Sequence, residues 1–158
     1  MIRDLALRKG LLDCARLKYT GDRLLAFTPY IHFNGNARAA MTFYADVFGA
    51  ADLSIQSYSD APPEVGLPAT DAVMHAQFSL DGHLLMAADA MPGRPYTPQA
   101  AVSVSHAVTS VDAGQVIFDK LADRGDIVMP FARSFFAAGF GMCKDKFGTH
   151  WMINVADA

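Results

Sequence analysis

The stretch GMCKDKFGTHWMIN, residues 141–154, determines which fold the chain can adopt. Apolar and polar side chains alternate at both of its ends, and residues 145–148 have the composition of a tight turn. This pattern predicts two antiparallel strands, at roughly 134–142 and 149–155.

The last strand has two chemically different faces. Trp151, Ile153 and Val155 form an apolar face that suits a core. The side chains that alternate with them are His150, Met152 and Asn154. We expect this mixed face to line a cavity.

The same order of elements occurs twice along the chain. Each copy has a strand, a helix and three further strands, and in the first copy Asp81 and Gly82 join the last two strands as a strong hairpin signal. The predicted fold is therefore α+β, with one βαβββ module at about 27–90 and another at about 100–156. Two such modules can pair their sheets edge to edge and curl around a shared cavity, with the helices on the convex side.

Residues 1–26 precede the repeat and are interpreted as a loosely attached extension without an assigned function. The remaining residues, 27–158, are predicted to form the domain.

Composition excludes several functional classes. A net charge of −3 gives no basic field for nucleic acid, and no apolar run approaches the length of a membrane span. Two cysteines, Cys14 and Cys143, supply neither a disulfide framework nor a zinc site. We therefore expect a cytoplasmic protein with a small-molecule partner.

The strand at 73–80, like the last strand, has one apolar face and one polar face. His75 and Gln77 alternate with apolar neighbours that suit the underside of a helix. A two-residue turn at 81–82 places Gln77 opposite Met86, so Met86 shares the face of His75.

By the same reasoning, a four-residue turn at 145–148 places Gly139 and Gly141 across from the mixed face of the last strand. These glycines either leave room for a ligand or relieve crowding between strands.

Several stretches resemble a known family. GNARAAMTFYADVFGA (35–50) and DKFGTHWMINV (145–155) are similar to the first-helix and closing-hairpin motifs of the vicinal oxygen chelate superfamily, which includes glyoxalase I, extradiol dioxygenases and bleomycin-binding proteins. MHAQFSLDGHLLMAADAMPG (74–93) and FFAAGFGMCKDKFGTHWMINV (135–155) resemble its PhnB-like branch. The resemblance covers essentially 27–156 and implies a homodimer, with modules paired either within or between chains.

The same resemblance argues against a metal. Members that bind a divalent ion supply up to four His or Glu ligands, and the corresponding positions here are Pro29, Met86, His106 and Met152. Only His106 suits such an ion, whereas methionine adds pliable apolar surface. We expect no metal and no cofactor, and an organic ligand instead.

The histidines leave alternatives open. His75 is the best catalytic candidate, as an acid or base near neutral pH, but it can equally be a hydrogen-bonded wall residue. His75, His106 and His150 could also meet in a three-histidine site. His32 has the opposite parity to Pro29 and is expected to face the first helix.

Other catalytic patterns are lacking. Asp89 is interpreted chiefly as a turn-initiating carboxylate. PhnB-like proteins are often labelled ubiquinone-pathway methyltransferases, but the sequence has no glycine-rich loop between a strand and a helix to support S-adenosylmethionine binding.

Three functions follow as hypotheses. The first is a metal-free small-molecule-binding protein of the PhnB-like type. The second is an enzyme, either a lyase, isomerase or dioxygenase with a rearranged histidine site, or an acid–base catalyst built on His75. The third is a drug-sequestering resistance protein with a groove between two subunits. The expected ligand-binding residues are His75, Gln77, Met86, His106, His150, Met152 and Asn154.

Overall fold

The structure is a computed structural model that describes residues 27–155 except 63, 65, 68 and 92. The predicted extension at 1–26, with Cys14, lies outside the described residues, as do residues 156–158.

Each half of the described chain contains one helix and four strands. The first module consists of β1 (Tyr30–Phe33), α1 (Ala37–Phe48), β2 (Ser54–Ser57), β3 (Val73–Leu80) and β4 (His83–Asp89), with a short 3₁₀ turn after β2. The second consists of β5 (Val104–Val108), α2 (Val111–Ala122), β6 (Asp126–Ala132), β7 (Gly139–Lys144) and β8 (His150–Val155). The predicted α+β class with two βαβββ modules is confirmed.

The two sheets have the same topology. Their strand orders are β1-β4-β3-β2 and β5-β8-β7-β6, so each module pairs its first strand with its last. Those pairs, β1 with β4 and β5 with β8, are parallel, and the other pairs are antiparallel. Within the described residues both sheets remain open.

The helix α1 is amphipathic for a simple reason. Ala37, Ala40, Met41 and Tyr44 recur at helical spacing and are fully buried. The helix ends at Gly49, whose φ of 71° lies in the left-handed region that favours glycine. The sequence predicts this helix from about Ala37 to Phe48 with Gly49 as its end, and both limits are confirmed.

The helix α2 starts slightly earlier than expected. The sequence predicted Asp112 as its cap and Gly125 as its end. The N-cap is instead Ser110, whose hydroxyl accepts a hydrogen bond from the Ala113 amide at 3.2 Å, and the helix ends at Ala122. Asp112 lies in the first turn, where a carboxylate favours the helix dipole.

One core joins the two modules. Phe48, at the end of α1, packs on Phe78 of the first sheet and on Trp151 of the second. The Tyr44 hydroxyl lies 2.6 Å from a carboxylate oxygen of Asp145, which also accepts from the Trp151 indole at 2.8 Å. Both sheets therefore turn their helix-side faces towards this shared core, and their other faces point away from it.

Candidate functional site

The first open face lies on the first sheet, opposite α1. Gln77 pairs with Met86 in the register of β3 and β4, and Met86 pairs with Tyr30 in that of β1 and β4. These three side chains form a row across the sheet, with His75 two residues along β3. The predicted alignment of Gln77 with Met86 is confirmed.

A hydrogen-bonded chain runs across this face. The Tyr30 hydroxyl lies 3.0 Å from Nδ1 of His75, and Nε2 of His75 lies 3.0 Å from Oε1 of Gln77. Because the amide oxygen can only accept, Nε2 carries a hydrogen, and in the neutral imidazole Nδ1 then accepts from the tyrosine. Burial, and secondarily Tyr58, raises the pKa of Tyr30, so its hydroxyl keeps the proton that it donates.

This arrangement limits what His75 can do. Both ring nitrogens are used, so neither offers a free lone pair to a metal ion unless a hydrogen bond breaks. A substrate would reach the imidazole through the hydroxyl of Tyr30 or the amide of Gln77. The geometry is that of a hydrogen-bonded polar wall.

The predicted orientation of His32 is wrong. Ile31 and Phe33 are the β1 side chains that enter the core, at 6% and 1% exposure. His32 alternates with them and is exposed beside Tyr30, with ring centroids 5.2 Å apart. It therefore belongs to the first open face, although the sequence predicted that it faces α1.

The second open face lies on the second sheet. Its centre is a row of three methionines, because Met129 pairs with Met142 and Met142 pairs with Met152. Trp151, Ile153 and Val155 are buried on the reverse side, so the predicted division of β8 into two faces is confirmed.

An aromatic border adjoins the methionine row. Phe140 pairs with Asn154, and its ring lies 5.1 Å from the half-exposed ring of Phe136. The Oδ1 atom of Asn154 is buried and has no hydrogen-bond partner among the described residues. Such an acceptor suits an N–H or O–H donor on a ligand that displaces its neighbours.

The expected register of β7 was one residue off. Lys144 pairs with His150, which leaves a five-residue loop at 145–149. Gly139 and Gly141 consequently lie opposite Val155 and Ile153 on the core side. They make room for core rings rather than for a ligand.

His106 was predicted to be a ligand-binding residue, on the cavity-lining face of the second sheet. It does not lie on the second open face. It pairs with Ile153, a fully buried residue, and therefore points to the core side of the sheet. Its ring packs on Phe48 with centroids 4.8 Å apart, and burial lowers its pKa. Ser105 occupies the open-face position beside Met152.

The three-histidine alternative is also wrong for the described chain. His75, His106 and His150 lie on three different surfaces: the first open face, the core side and the second open face. In the part of the chain that the structure describes, no group of three or more His, Cys, Asp or Glu side chains could hold a metal ion.

Asp89 has a structural role different from the predicted turn. Its buried carboxylate accepts the amides of Gly35 and Ala37 at 2.8 and 3.0 Å, and the amide of Val73 at 2.8 Å. The N-terminus of α1 is a natural position for an anionic group. An internal carboxylate already occupies it.

Two further findings concern reactivity and membranes. Cys143 is a free cysteine, buried in the core, and burial raises the pKa of its thiol to about 11. It is therefore a poor nucleophile near neutral pH.

Among the described residues, the helices are too short or too polar to cross a membrane.

Comparison with known proteins gives consistent matches. A family model described as 3-demethylubiquinone-9 3-methyltransferase matches residues 25–154. Protein YjdN of Escherichia coli (strain K12) is 33% identical over 141 residues, covering 83% of this chain and 95% of YjdN.

Solved structures match over a similar span. Protein PA1353 from Pseudomonas aeruginosa is 36% identical, with a TM-score of 0.78, and the match covers 85% of this chain and 99% of that one. A putative 3-demethylubiquinone-9 3-methyltransferase, PhnB protein, from Bacillus cereus is 30% identical with a TM-score of 0.68, covering 84% and 100%. A glyoxalase-related enzyme from Fulvimarina pelagi shares the fold, at 17% identity over 83% of this chain and 88% of that one, with a TM-score of 0.56.

Proposed function

Since the chain belongs to the family described as 3-demethylubiquinone-9 3-methyltransferase, the PhnB-like branch of the vicinal oxygen chelate superfamily, we propose that it binds a small, largely apolar organic molecule without a metal. The ligand lies between the first open face of one chain and the second open face of another. The observation that carries this proposal is the Tyr30–His75–Gln77 chain beside Met86.

The donor set supports an organic ligand. His75 already uses both nitrogens, and the thioethers of Met86 and Met152 are poor ligands for zinc, nickel or iron in place of carboxylates. Methionine side chains adapt their shape to apolar groups. One face thus offers polar groups for orientation, and the other offers pliable apolar contact.

The homodimer belongs to this proposal. Both sheets pack their reverse sides on one core, so neither open face is covered by the other within the chain. Tyr30, Met129 and Phe136 remain 41%, 47% and 52% exposed. A second copy placed on these faces would bury apolar surface and enclose the ligand.

The dimer can be tested with one matched pair of variants. Met129→Glu places a charge on the second open face, whereas Val116→Glu places the same charge on an exposed position of α2. Light scattering should show a dimer for the wild type and for Val116→Glu, and a monomer for Met129→Glu. A wild-type monomer at high concentration would exclude the enclosed site.

Methyl transfer is not part of the proposal. The amides of Gly35 and Ala37 at the N-terminus of α1 are bonded to Asp89, so an internal carboxylate already occupies the position that a cofactor carboxylate or phosphate would take. The proposal includes a cytoplasmic location. Cys143 is a free, buried thiol, which is what a reducing compartment favours.

A second candidate function is acid–base catalysis through Tyr30. Its hydroxyl is backed by His75 at 3.0 Å and is the partly exposed end of the chain of hydrogen bonds. In that case Tyr30→Phe should still bind a ligand but leave it unchanged, whereas the wild type converts it. NMR spectra of the ligand after incubation separate the two results.

The ligand itself can be sought by thermal shift with a library of small neutral organic molecules. A molecule present at about 100 times its Kd stabilises the protein by about 2.7 kcal/mol. His75→Leu should lose this stabilisation, while His83→Leu, at the exposed first residue of β4, should keep it. Equal stabilisation of both variants would show that the first open face is not the site.

A further inference from the structure

A groove of about 1050 Å³ lies between the two modules, at the β3–β4 turn and along β5. Its lining includes Ser105, at the edge of the second open face, but none of the side chains of the Tyr30–His75–Gln77 chain, the methionine row or the aromatic border. It therefore differs from the ligand site proposed above.

The floor of the groove is aromatic. Phe48 lines the groove, and its ring centroid lies 6.5 Å from that of Phe78, 5.2 Å from that of Trp151 and 4.8 Å from that of His106. Phe78 and Trp151 are almost fully buried, so these rings are held firmly by the core. Aromatic faces attract both apolar bodies and organic cations.

The rim of the groove is acidic. Asp52 accepts hydrogen bonds from the Ser79 hydroxyl and from the Ser79 amide, the latter at 2.9 Å. These bonds lower the pKa of Asp52, so its carboxylate stays ionised. Asp81 lies on the β3–β4 turn, two residues beyond Ser79, and its charge acts on His106, which also lines the groove.

His106 contributes an uncharged imidazole. Burial lowers its pKa, although the nearby Asp81 opposes that change. The titratable side chains that line the groove within the described residues are Asp52, Asp81, His83 and His106. The acidic groups of the groove are therefore the carboxylates of Asp52 and Asp81.

We propose that this groove binds a small organic cation, an amine attached to an aromatic or branched aliphatic body. The body lies on Phe48, and the ammonium group lies towards Asp52 and Asp81. This inference does not depend on the open-face ligand or on a dimer, because the lining comes from both modules of one chain.

Matched probes test the proposal. 2-Phenylethylamine is a cation at neutral pH, whereas 2-phenylethanol has the same length and ring without the charge. In NMR titrations of the full-length protein, the amine should shift amide signals at 79–85 and 104–107. It should bind roughly fivefold or more tightly than the alcohol at low salt, because a nearby carboxylate strengthens cation binding modestly at a partly exposed site.

Asp81→Asn is a suitable variant. An Asn-Gly sequence is favoured in two-residue hairpin turns and tolerates the positive φ of 49° at this position, so the hairpin should be kept. The preference for the amine should fall towards unity in this variant and persist in Asp71→Asn, which removes an exposed carboxylate away from the groove.

Acid and salt give independent tests. Protonation of His106 adds a positive charge beside the bound cation, so amine binding should weaken as the pH falls, and less so in His106→Gln. Salt should weaken amine binding and leave alcohol binding unchanged. Equal affinity for amine and alcohol would overturn the proposal, and so would amide shifts confined to the open faces. The absence of any shift at about 10 mM amine, a concentration well above a millimolar Kd, would also overturn it.

Discussion

Tyr44→Phe should destabilise the protein more than the loss of one oxygen atom suggests. The Tyr44 side chain is fully buried, and its hydroxyl lies 2.6 Å from Asp145 and 2.9 Å from the hydroxyl of Thr149. Because a hydroxyl carries one hydrogen, it donates to the carboxylate and accepts from Thr149. Burial, and next the charge of Asp145, raises the pKa of Tyr44, so the hydroxyl stays protonated.

The magnitude follows from what the substitution leaves behind. A buried carboxylate loses one of its four donors, since it also accepts from Trp151 and from the amides of Phe147 and Thr149. Hydrogen bonds to charged groups contribute about 1.5–3 kcal/mol each, and Thr149 also loses an acceptor. We expect the free energy of unfolding to fall by about 2–3 kcal/mol, which lowers the Tm by roughly 5–10 °C for a chain of this size.

Chemical denaturation followed by circular dichroism measures this change. Tyr58→Phe is the matched control, because Tyr58 is also buried but makes no side-chain hydrogen bond among the described residues. Its unfolding free energy should stay within about 0.5 kcal/mol of the wild type. If Tyr44→Phe behaves like Tyr58→Phe, or if its effect simply adds to that of Thr149→Val, the network does not couple the modules.

Three further changes have definite expectations. Asp89→Asn should cost about 1–3 kcal/mol in urea denaturation, since an amide group would face a backbone donor at a buried site; no loss would refute its capping role. Gly141→Ala should cost about 1–3 kcal/mol, since the added Cβ would lie 2.8 Å from the ring of Phe118; unchanged stability would contradict the core-side register. His106 has a pKa below its ordinary 6.5 in the folded state, so the unfolded state binds the proton first as the pH falls. The stability that the neutral imidazole contributes is thus fully present above about pH 6.5, the pKa of the unfolded state, and is lost as the pH falls below it. The Tm of His106→Gln should vary less with pH in that window than the Tm of His83→Gln, and equal slopes would count against the burial effect.

The sequence predicted best where neighbouring strands are joined by a short turn. The Asp81–Gly82 turn determines the register of β3 and β4, so the alignment of Gln77 with Met86 followed from local chemistry. Period-two alternation likewise separated the two faces of β8.

The predictions failed where strands pair without a connecting turn. β1 with β4 and β5 with β8 are parallel neighbours, and no local signal determines their relative positions. The orientations of His32 and His106 were wrong for this reason.

The β7–β8 register depended on a tertiary interaction. The carboxylate of Asp145 holds the amides of Phe147 and Thr149 and is itself held by Tyr44, more than a hundred positions away. This network extends the loop to five residues and moves every β7 side chain to the other face relative to the prediction. No pattern within 141–154 reveals it.

Native mass spectrometry of the full-length protein, purified without chelators, distinguishes a metal-free dimer with an organic ligand from a metalloprotein. We expect a dimer whose mass contains no divalent metal and increases by the mass of a small organic molecule when a ligand of the open faces is added. A stoichiometric zinc, nickel or iron ion in each wild-type chain, absent from His75→Ala, would contradict it.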